Sequence, residues 1–398
     1  LPGFFSALIL LWILMREGAR LLPEEGALLA ACAFGLNLLT PRLVTLVRTD
    51  MILTLWITLC GWLILRKIQS PSPWSPTEKW IFFGIMTAAL FTKGPILYAF
   101  LLPGMVAFVF LGPKRLRGSV WSGWWTWVIP LGFFLAWGVA GLLTRPDFYE
   151  EVVVNEFFSR FDQSLKSHER QQPFWFYFPH LIHKFLPWSL LAIGLTLFSS
   201  NVRSAIRQRP ELLWLACWAL GGLLFMTLVP SKRVDRIYPV IPPLCLLLVG
   251  MVSACQCGQK VRAWCGAAIV AGILFSGVYF AGIIWIGTME GNNAIVRFGK
   301  TAVAHVEETG GGPLEIVAGK DEGLLIYAGA TQFTHPHRAI RHWQDGQTRA
   351  LIISQKRLKS SEIGEAINFP APVLESGRVV SGEEYLLFIN PLFHSTPK

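Results

Sequence analysis

The segment EEVVVNEFFSRFDQSLKSHERQQPFWFYFPHLIHKFLPWS, residues 150–189, decides how the rest of the chain is read. It carries Glu156, Arg160, Asp162, Lys166, Glu169 and Arg170 together with His168, and it closes on an aromatic block from Phe174 to Phe178. It is the only long polar interval before residue 288, and apolar runs flank it on both sides. A charged loop between two oily segments belongs at a membrane surface, where rings that are half wet and half dry suit the headgroup layer.

Composition agrees with that reading. The 398 residues are 53% hydrophobic and 15% charged, with 17 Trp and 28 Phe, more apolar surface than a soluble core can hide. The expected fold class is therefore a polytopic α-helical membrane protein. A membrane helix needs roughly 20 apolar residues. Ten segments approach that length, at about 3–15, 27–39, 51–66, 80–92, 95–112, 119–143, 180–200, 211–230, 237–256 and 263–288, with the second and fourth short. No internal repeat is evident. The formal charge of +10 does not point to nucleic acid, because most Lys and Arg lie in short loops between apolar runs, where they orient helices and meet anionic lipid. The seven cysteines all sit in or beside apolar segments, which indicates no extracytoplasmic disulfide framework.

The basic connections set the orientation. Those holding Arg66, Lys67 and Lys79, then Lys114, Arg115 and Arg117, then Arg203, Arg207 and Arg209, then Lys260 and Arg262, are nearly free of acids and are expected in the cytoplasm. Loops 40–50, 92–95, 144–179 and 230–236, and everything after 288, then lie outside. The expected domains are residues 1–288, a membrane domain with the large outer loop 144–179, and residues 289–398, a small extracytoplasmic α/β domain. In the latter, LEIVAG (314–319), RALIISQ (349–355) and EYLLFI (384–389) read as strands. His335, His337 and His342 read there as ordinary loop histidines. The chain opens at Leu1 inside an apolar run without a signal-peptide leader, so its natural start is expected upstream.

Chemistry has few carriers. Asp50, in VRTDM with Arg48 beside it, stands at the mouth of an apolar helix, as a catalytic base, a hydroxyl acceptor or a helix cap. Lys93, in FTKGP, is an ammonium at a forced break between apolar runs, where an anion such as phosphate would offset its cost; snorkelling to the interface is the plain alternative. SKRVDR (231–236) adds a cationic patch with Lys232 and Arg236. In the long loop Glu156 and Arg160 are four apart and would pair on a helix, and His168 is the one candidate ligand for a divalent metal.

The ordered set RTDM (48–51), TKGP (92–95), EFFSRF (156–161), HERQQPFWFYFPHLIHKFLPWS (168–189), and SK (231–232) followed by Pro-x-x-Pro (239–242) resembles the C-type (GT-C) polyprenyl-phosphate-sugar glycosyltransferases, in particular the protein O-mannosyltransferase group and the aminoarabinose transferases acting on lipid A. The resemblance implies a GT-C-like bundle of about ten helices in the bacterial inner membrane. It further implies inverting transfer of a sugar from a polyprenyl-phosphate carrier to a lipid A, protein or glycan acceptor on the outer face. It also implies a first span and an acidic outer loop upstream of Leu1. Within this chain Asp50 and Glu156 are the expected catalytic residues. Lys93, Arg160, Lys232 and Arg236 would hold the phosphate, and Arg48, Trp175, Tyr177 and Tyr238 would position substrate. Relatives place a tyrosine where this chain has Arg236, two residues before Tyr238. The sequence indicates no definite cofactor; a divalent metal at His168 is the one candidate. The competing functions are a ligase or polymerase using diphosphate-linked donors and a flippase or transporter; the latter would favour inverted repeats, which are not evident.

Overall fold

A computed structural model describes residues 2–46, 48–145, 148–149, 152, 172–229, 232–255, 259–288, 292–318, 321, 323–360, 363–379 and 382–394. The chain divides into two compact units, Leu1–Gly277 and Val278–Lys398.

The first unit is a helical bundle. Its helices are α1 (Pro2–Leu21), α2 (Gly26–Gly35), α3 (Thr40–Thr45), α4 (Asp50–Gln69), α5 (Pro76–Lys93), α6 (Ile96–Leu111), α7 (Trp125–Thr144), α8 (Tyr177–Lys184), α9 (Trp188–Phe198), α10 (Ser200–Gln208), α11 (Pro210–Leu228), α12 (Ile241–Ala254) and α13 (Gln259–Thr288), which runs on past the unit boundary. Each of the ten apolar segments coincides with helix. By length and composition, five of the described helices can cross a membrane: Asp50–Gln69, Lys114–Thr144, Pro210–Leu228, Val234–Ala254 and Ala263–Trp285. The run at 180–200 is a bent pair, α8 and α9 meeting at 103°. The short second segment is the ten-residue α2, about 15 Å long at 1.5 Å per residue, half a bilayer core.

Helix boundaries follow local chemistry. Ser75 and Glu78 form a capping box at the start of α5, with Pro76 in the first turn, which satisfies two otherwise orphaned N–H groups. At the other end Gly94 has φ 73° and ψ −163°, a conformation that a side chain disfavours, and Pro95 follows. Lys93 is thereby fixed as the last residue of α5, where the helix dipole favours a cation. Glu78 also pairs with Lys67 at 2.7 Å. Burial alone pushes the Glu78 carboxyl up, but the bonds from Lys67 and Ser75 outweigh it and leave its pKa below the ordinary value. A lowered carboxylate pKa contributes stability above the usual carboxylate range and loses it as pH falls through the lowered value. Glu78 is 35% exposed, so the contribution is screened. Glu78→Gln should lower the thermal midpoint by about 1–2 °C at neutral pH, with the difference shrinking as pH falls through the ordinary carboxylate range and vanishing beneath the lowered value; a difference that persists in strong acid would rule out this charge effect.

Small residues let the central helices meet. A Cβ on Gly221 of α11 would lie 2.5 Å from the Gly104 backbone nitrogen of α6, and one on Gly104 would lie 2.7 Å from the Trp218 Cα. Backbones in such contact associate through packing rather than through a hydrophobic drive, which lipid does not supply. The Trp214 indole of α11 donates to the Gly61 carbonyl of α4 at 3.1 Å, joining a third helix to the pair.

The turn after α2 is polar and buried. Asn37, with no exposed surface, donates to Thr40 Oγ1 at 3.0 Å and accepts from the Leu39 and Thr40 amides at 2.9 Å. Thr40 Oγ1 shares a hydrogen bond with the Tyr238 hydroxyl at 2.8 Å. The Leu38 amide donates to the Lys184 carbonyl at 3.0 Å, and Ser276 Oγ donates to the Leu36 carbonyl.

The second unit carries a four-stranded mixed sheet in the order β1-β2-β4-β3, formed by β1 (Leu314–Val317), β2 (Ala350–Ser354), β3 (Leu374–Arg378) and β4 (Glu384–Ile389). β1 and β2 are parallel and the other pairs antiparallel. Alternation along β2 assigns Ala350 and Ile352 to one core with Phe298, Ala302 and Leu324, and Leu351 and Ile353 to another with Ala339, Trp343 and Ile363. Helices α14 (Asn292–Glu308) and α15 (Gly323–Ala328) contribute to the first core, and α16 (Pro336–Gln344) and α18 (Ile363–Ala366), which follows α17 (Gln355–Ser360), to the second. A sheet buried on both faces reads as near-continuous apolar runs. β3 went unforeseen because LESGR has no such run and contains Gly377 at φ 65°.

Candidate functional site

Residues from loops 40–50, 92–95 and 230–236 come together at one end of the bundle. Asp50, the first residue of α4, makes an ion pair with Lys93, the last of α5. Asp50 Oδ1 accepts from the Lys93 ammonium, so the carboxylate holds a lysine at the start of the helix, while Thr49, the N-cap residue before it, makes no side-chain capping bond. The Asp50 side chain is 7% exposed and that of Lys93 is 20% exposed. Arg48 pairs with Asp235, which also accepts from Arg233 at 2.8 Å. That Asp235 anchors two arginines was not anticipated, although SKRVDR holds it as its one acid.

Beside the Asp50–Lys93 pair opens a cavity of about 540 Å3, within the size range of ligand sites. Lys93 and Arg236 line it together, and they are the only charged side chains among the described lining residues. The remaining wall is apolar and aromatic: Tyr98, Ala99 and Leu102 from α6, Phe134 and Trp137 from α7, and Phe225 and Met226 from α11. None of these apolar residues stood out in the sequence, since a helix with apolar residues on every face gives no sign of which of them borders a void. Trp137 is 46% exposed and Phe91 50%, so part of the wall lies open on the flank of the bundle. Two cations at one end of a long oily cleft suit an anionic head on a hydrocarbon chain.

No family model matches the chain. The whole chain superposes on 84% of the crystal structure of ArnT from Cupriavidus metallidurans in the apo state, with a TM-score of 0.66 at 15% identity. The same ArnT bound to undecaprenyl phosphate gives a TM-score of 0.65 at 16% identity. In sequence, 247 residues are 28% identical to an undecaprenyl phosphate-alpha-4-amino-4-deoxy-L-arabinose arabinosyl transferase of Erwinia tasmaniensis, covering 61% of this chain and 42% of that protein. A namesake in Pectobacterium atrosepticum is 29% identical over 258 residues, 62% of this chain and 43% of that protein. The chain is ArnT-like in fold and in sequence. It spans less than half the length of these curated relatives. It is a multi-pass inner-membrane protein.

The other expected site residues of this ArnT-like chain are distributed as follows. Lys232 is not among the cavity-lining residues; it is 6% exposed, its ammonium donates to the Gln172 carbonyl at 3.2 Å, and burial pulls its pKa below the ordinary lysine value. Tyr177 has no exposed surface and its hydroxyl accepts from the Arg233 amide at 3.3 Å, so it braces the SKRVDR turn. Tyr238 is likewise sealed, bonded to Thr40, and Trp175 is 55% exposed. Glu156, Arg160 and His168 lie outside the described residues. Among the described residues no group of three or more His, Cys, Asp or Glu side chains could hold a metal ion. His342 bonds to Glu315 at 2.6 Å in the second unit.

Proposed function

We propose that the chain forms the carrier-binding part of a glycosyltransferase that moves a pentose such as aminoarabinose from undecaprenyl phosphate to an acceptor hydroxyl, lipid A being the acceptor class, on the outer side of the inner membrane. The observation that carries this reading is the shared cavity: Lys93, steadied by Asp50, and Arg236 stand at one end of an apolar cleft of about 540 Å3. The names of the aminoarabinosyl transferase relatives support the choice of carrier and sugar.

In this reaction the acceptor oxygen attacks the anomeric carbon and inverts it, the bond from that carbon to the phosphate oxygen breaks, and the electron pair leaves with the lipid phosphate. The acceptor proton passes to a base. The departing phosphate gains negative charge, and preorganised cations in a dry site stabilise that charge far more than water does. Lys93 and Arg236 fill that role here. Asp50 gives one oxygen to Lys93 and so acts as a positioning residue. Glu156 is proposed as a second catalytic carboxylate, Arg160 as a supplementary cation and His168 as the metal ligand, while Lys232, turned to the Gln172 carbonyl, supports the loop rather than the phosphate. Arg48 and Trp175 are proposed to shape the approach, whereas Tyr177 and Tyr238, both sealed, act indirectly by bracing the Arg233 backbone and the turn at Thr40. The segment after residue 288 is assigned to the outer side as a separate α/β domain, in keeping with the basic loops.

The reading is tested by titrating the purified chain with undecaprenyl phosphate and with undecaprenol. Phosphate-dependent thermal stabilisation, about 2.7 kcal/mol at a hundredfold excess over Kd, is expected for the first lipid alone. Equal stabilisation by both would show that the cations do not hold a phosphate.

A further inference from the structure

The end of the bundle opposite Lys93 holds a second cavity, of about 480 Å3, lined by Lys79, Arg115, Trp74, Trp121, Ser72 and Ser119 among others. Lys79 stands near the start of α5 and Lys93 at its end, 14 residues apart, or about 21 Å along the axis. The two cavities therefore belong to opposite membrane faces, this one on the face that the basic loops assign to the cytoplasm.

Its walls are fixed. The buried Trp74 indole donates to the Ser119 carbonyl at 3.0 Å. Lys67 Nζ binds Ser72 Oγ at 3.0 Å and the Pro73 carbonyl at 3.2 Å, and stands 5.6 Å from the centre of the Trp74 ring. Glu78 is the sole acid between residues 70 and 125, and Lys67 engages it. No carboxylate among the described residues pairs with Lys79 or Arg115, and both charges face the cavity uncompensated. Aromatic rings then lead away down the bundle: Trp80 lies 5.0 Å from Trp125, Trp125 5.6 Å from Phe83, and Phe83 6.2 Å from Phe133. Trp80 is 62% exposed, Trp121 48% and Phe133 52%.

We propose that this cavity is a binding site for one anionic phospholipid of the adjacent leaflet. Its phosphodiester rests between Lys79 and Arg115, the headgroup hydroxyls face Ser72 and Ser119, and an acyl chain lies along the Trp80–Trp125–Phe83–Phe133 track. A fixed pocket with two unpaired bases, whose Lys79 is followed in the chain by Trp80, the first ring of an exposed aromatic lane, suits a charged head joined to a chain better than it suits a free anion.

Native mass spectrometry of the purified full chain with dioleoyl phosphatidylglycerol or dioleoyl phosphatidylcholine tests this. Wild type should retain phosphatidylglycerol preferentially, and Lys79→Gln/Arg115→Gln should weaken it roughly 30-fold. Lys114→Gln/Arg117→Gln removes the same charge from the same face but no lining residue, and should retain the lipid. Equal losses in the two double variants would mean diffuse surface attraction and overturn the site. Displacement of the lipid by millimolar inorganic phosphate would overturn the lipid assignment.

Discussion

Lys93→Ala is expected to reduce sugar transfer roughly 10²–10³-fold, the usual loss when one preorganised contact to developing charge is removed. It carries a second cost. Asp50 is left with a nearly buried carboxylate and no lysine, and breaking such a pair destabilises by about 3 kcal/mol. The two effects separate in the double variant Asp50→Asn/Lys93→Ala, which removes the stranded charge. That variant should regain thermal stability while binding undecaprenyl phosphate no better than Lys93→Ala does. Calorimetry gives the first quantity and lipid titration the second. Wild-type carrier affinity in either Lys93 variant would take Lys93 out of the site; recovery of affinity along with stability would make the pair a folding element alone.

Gly221→Val should be the most damaging substitution in the bundle interior. The added side chain would meet the α6 backbone at Gly104, a contact that no rotamer change relieves, so α6 and α11 must separate. A loss of about 3 kcal/mol is expected. Because Tyr98, Ala99 and Leu102 of α6 face Phe225 and Met226 of α11 across the cavity, carrier binding should fall as well. Gly132→Ala and Gly138→Ala on α7 serve as controls, since a Cβ at either meets nothing within 4 Å; they should change stability by less than about 1 kcal/mol. A Gly221→Val protein that unfolds like wild type would show that these two helices tolerate a wider spacing without loss of stability.

Much of the bundle was legible because apolar runs and their basic connections obey the bilayer's length and charge rules. TKGP announced both a helix end and a cation, since Gly94 and Pro95 end α5 at the lysine. Chain order did not tell which charges neutralise one another. Asp50 with Lys93, and Arg48 with Asp235, are pairs across 43 and 187 residues, and nothing local distinguishes a paired carboxylate from a free one. Lys232 and Arg236 looked equivalent in SKRVDR, but the turn directs Arg236 into the cavity and Lys232 toward Gln172. The strands of β1, β2 and β4 showed through their apolar runs, whereas β3, with few such residues, did not.

The turn after α2 has a consequence for biosynthesis. Its polar groups depend on Lys184, Tyr238 and Ser276, all made long after residue 40 leaves the ribosome. Until then this stretch must be sheltered by water, the insertion machinery or a provisional neighbour, because hydrocarbon offers no partner to an amide or carbonyl. The opening hairpin therefore cannot reach its final environment as an early, independent step, and the last helix of the bundle closes a vacancy left by the second.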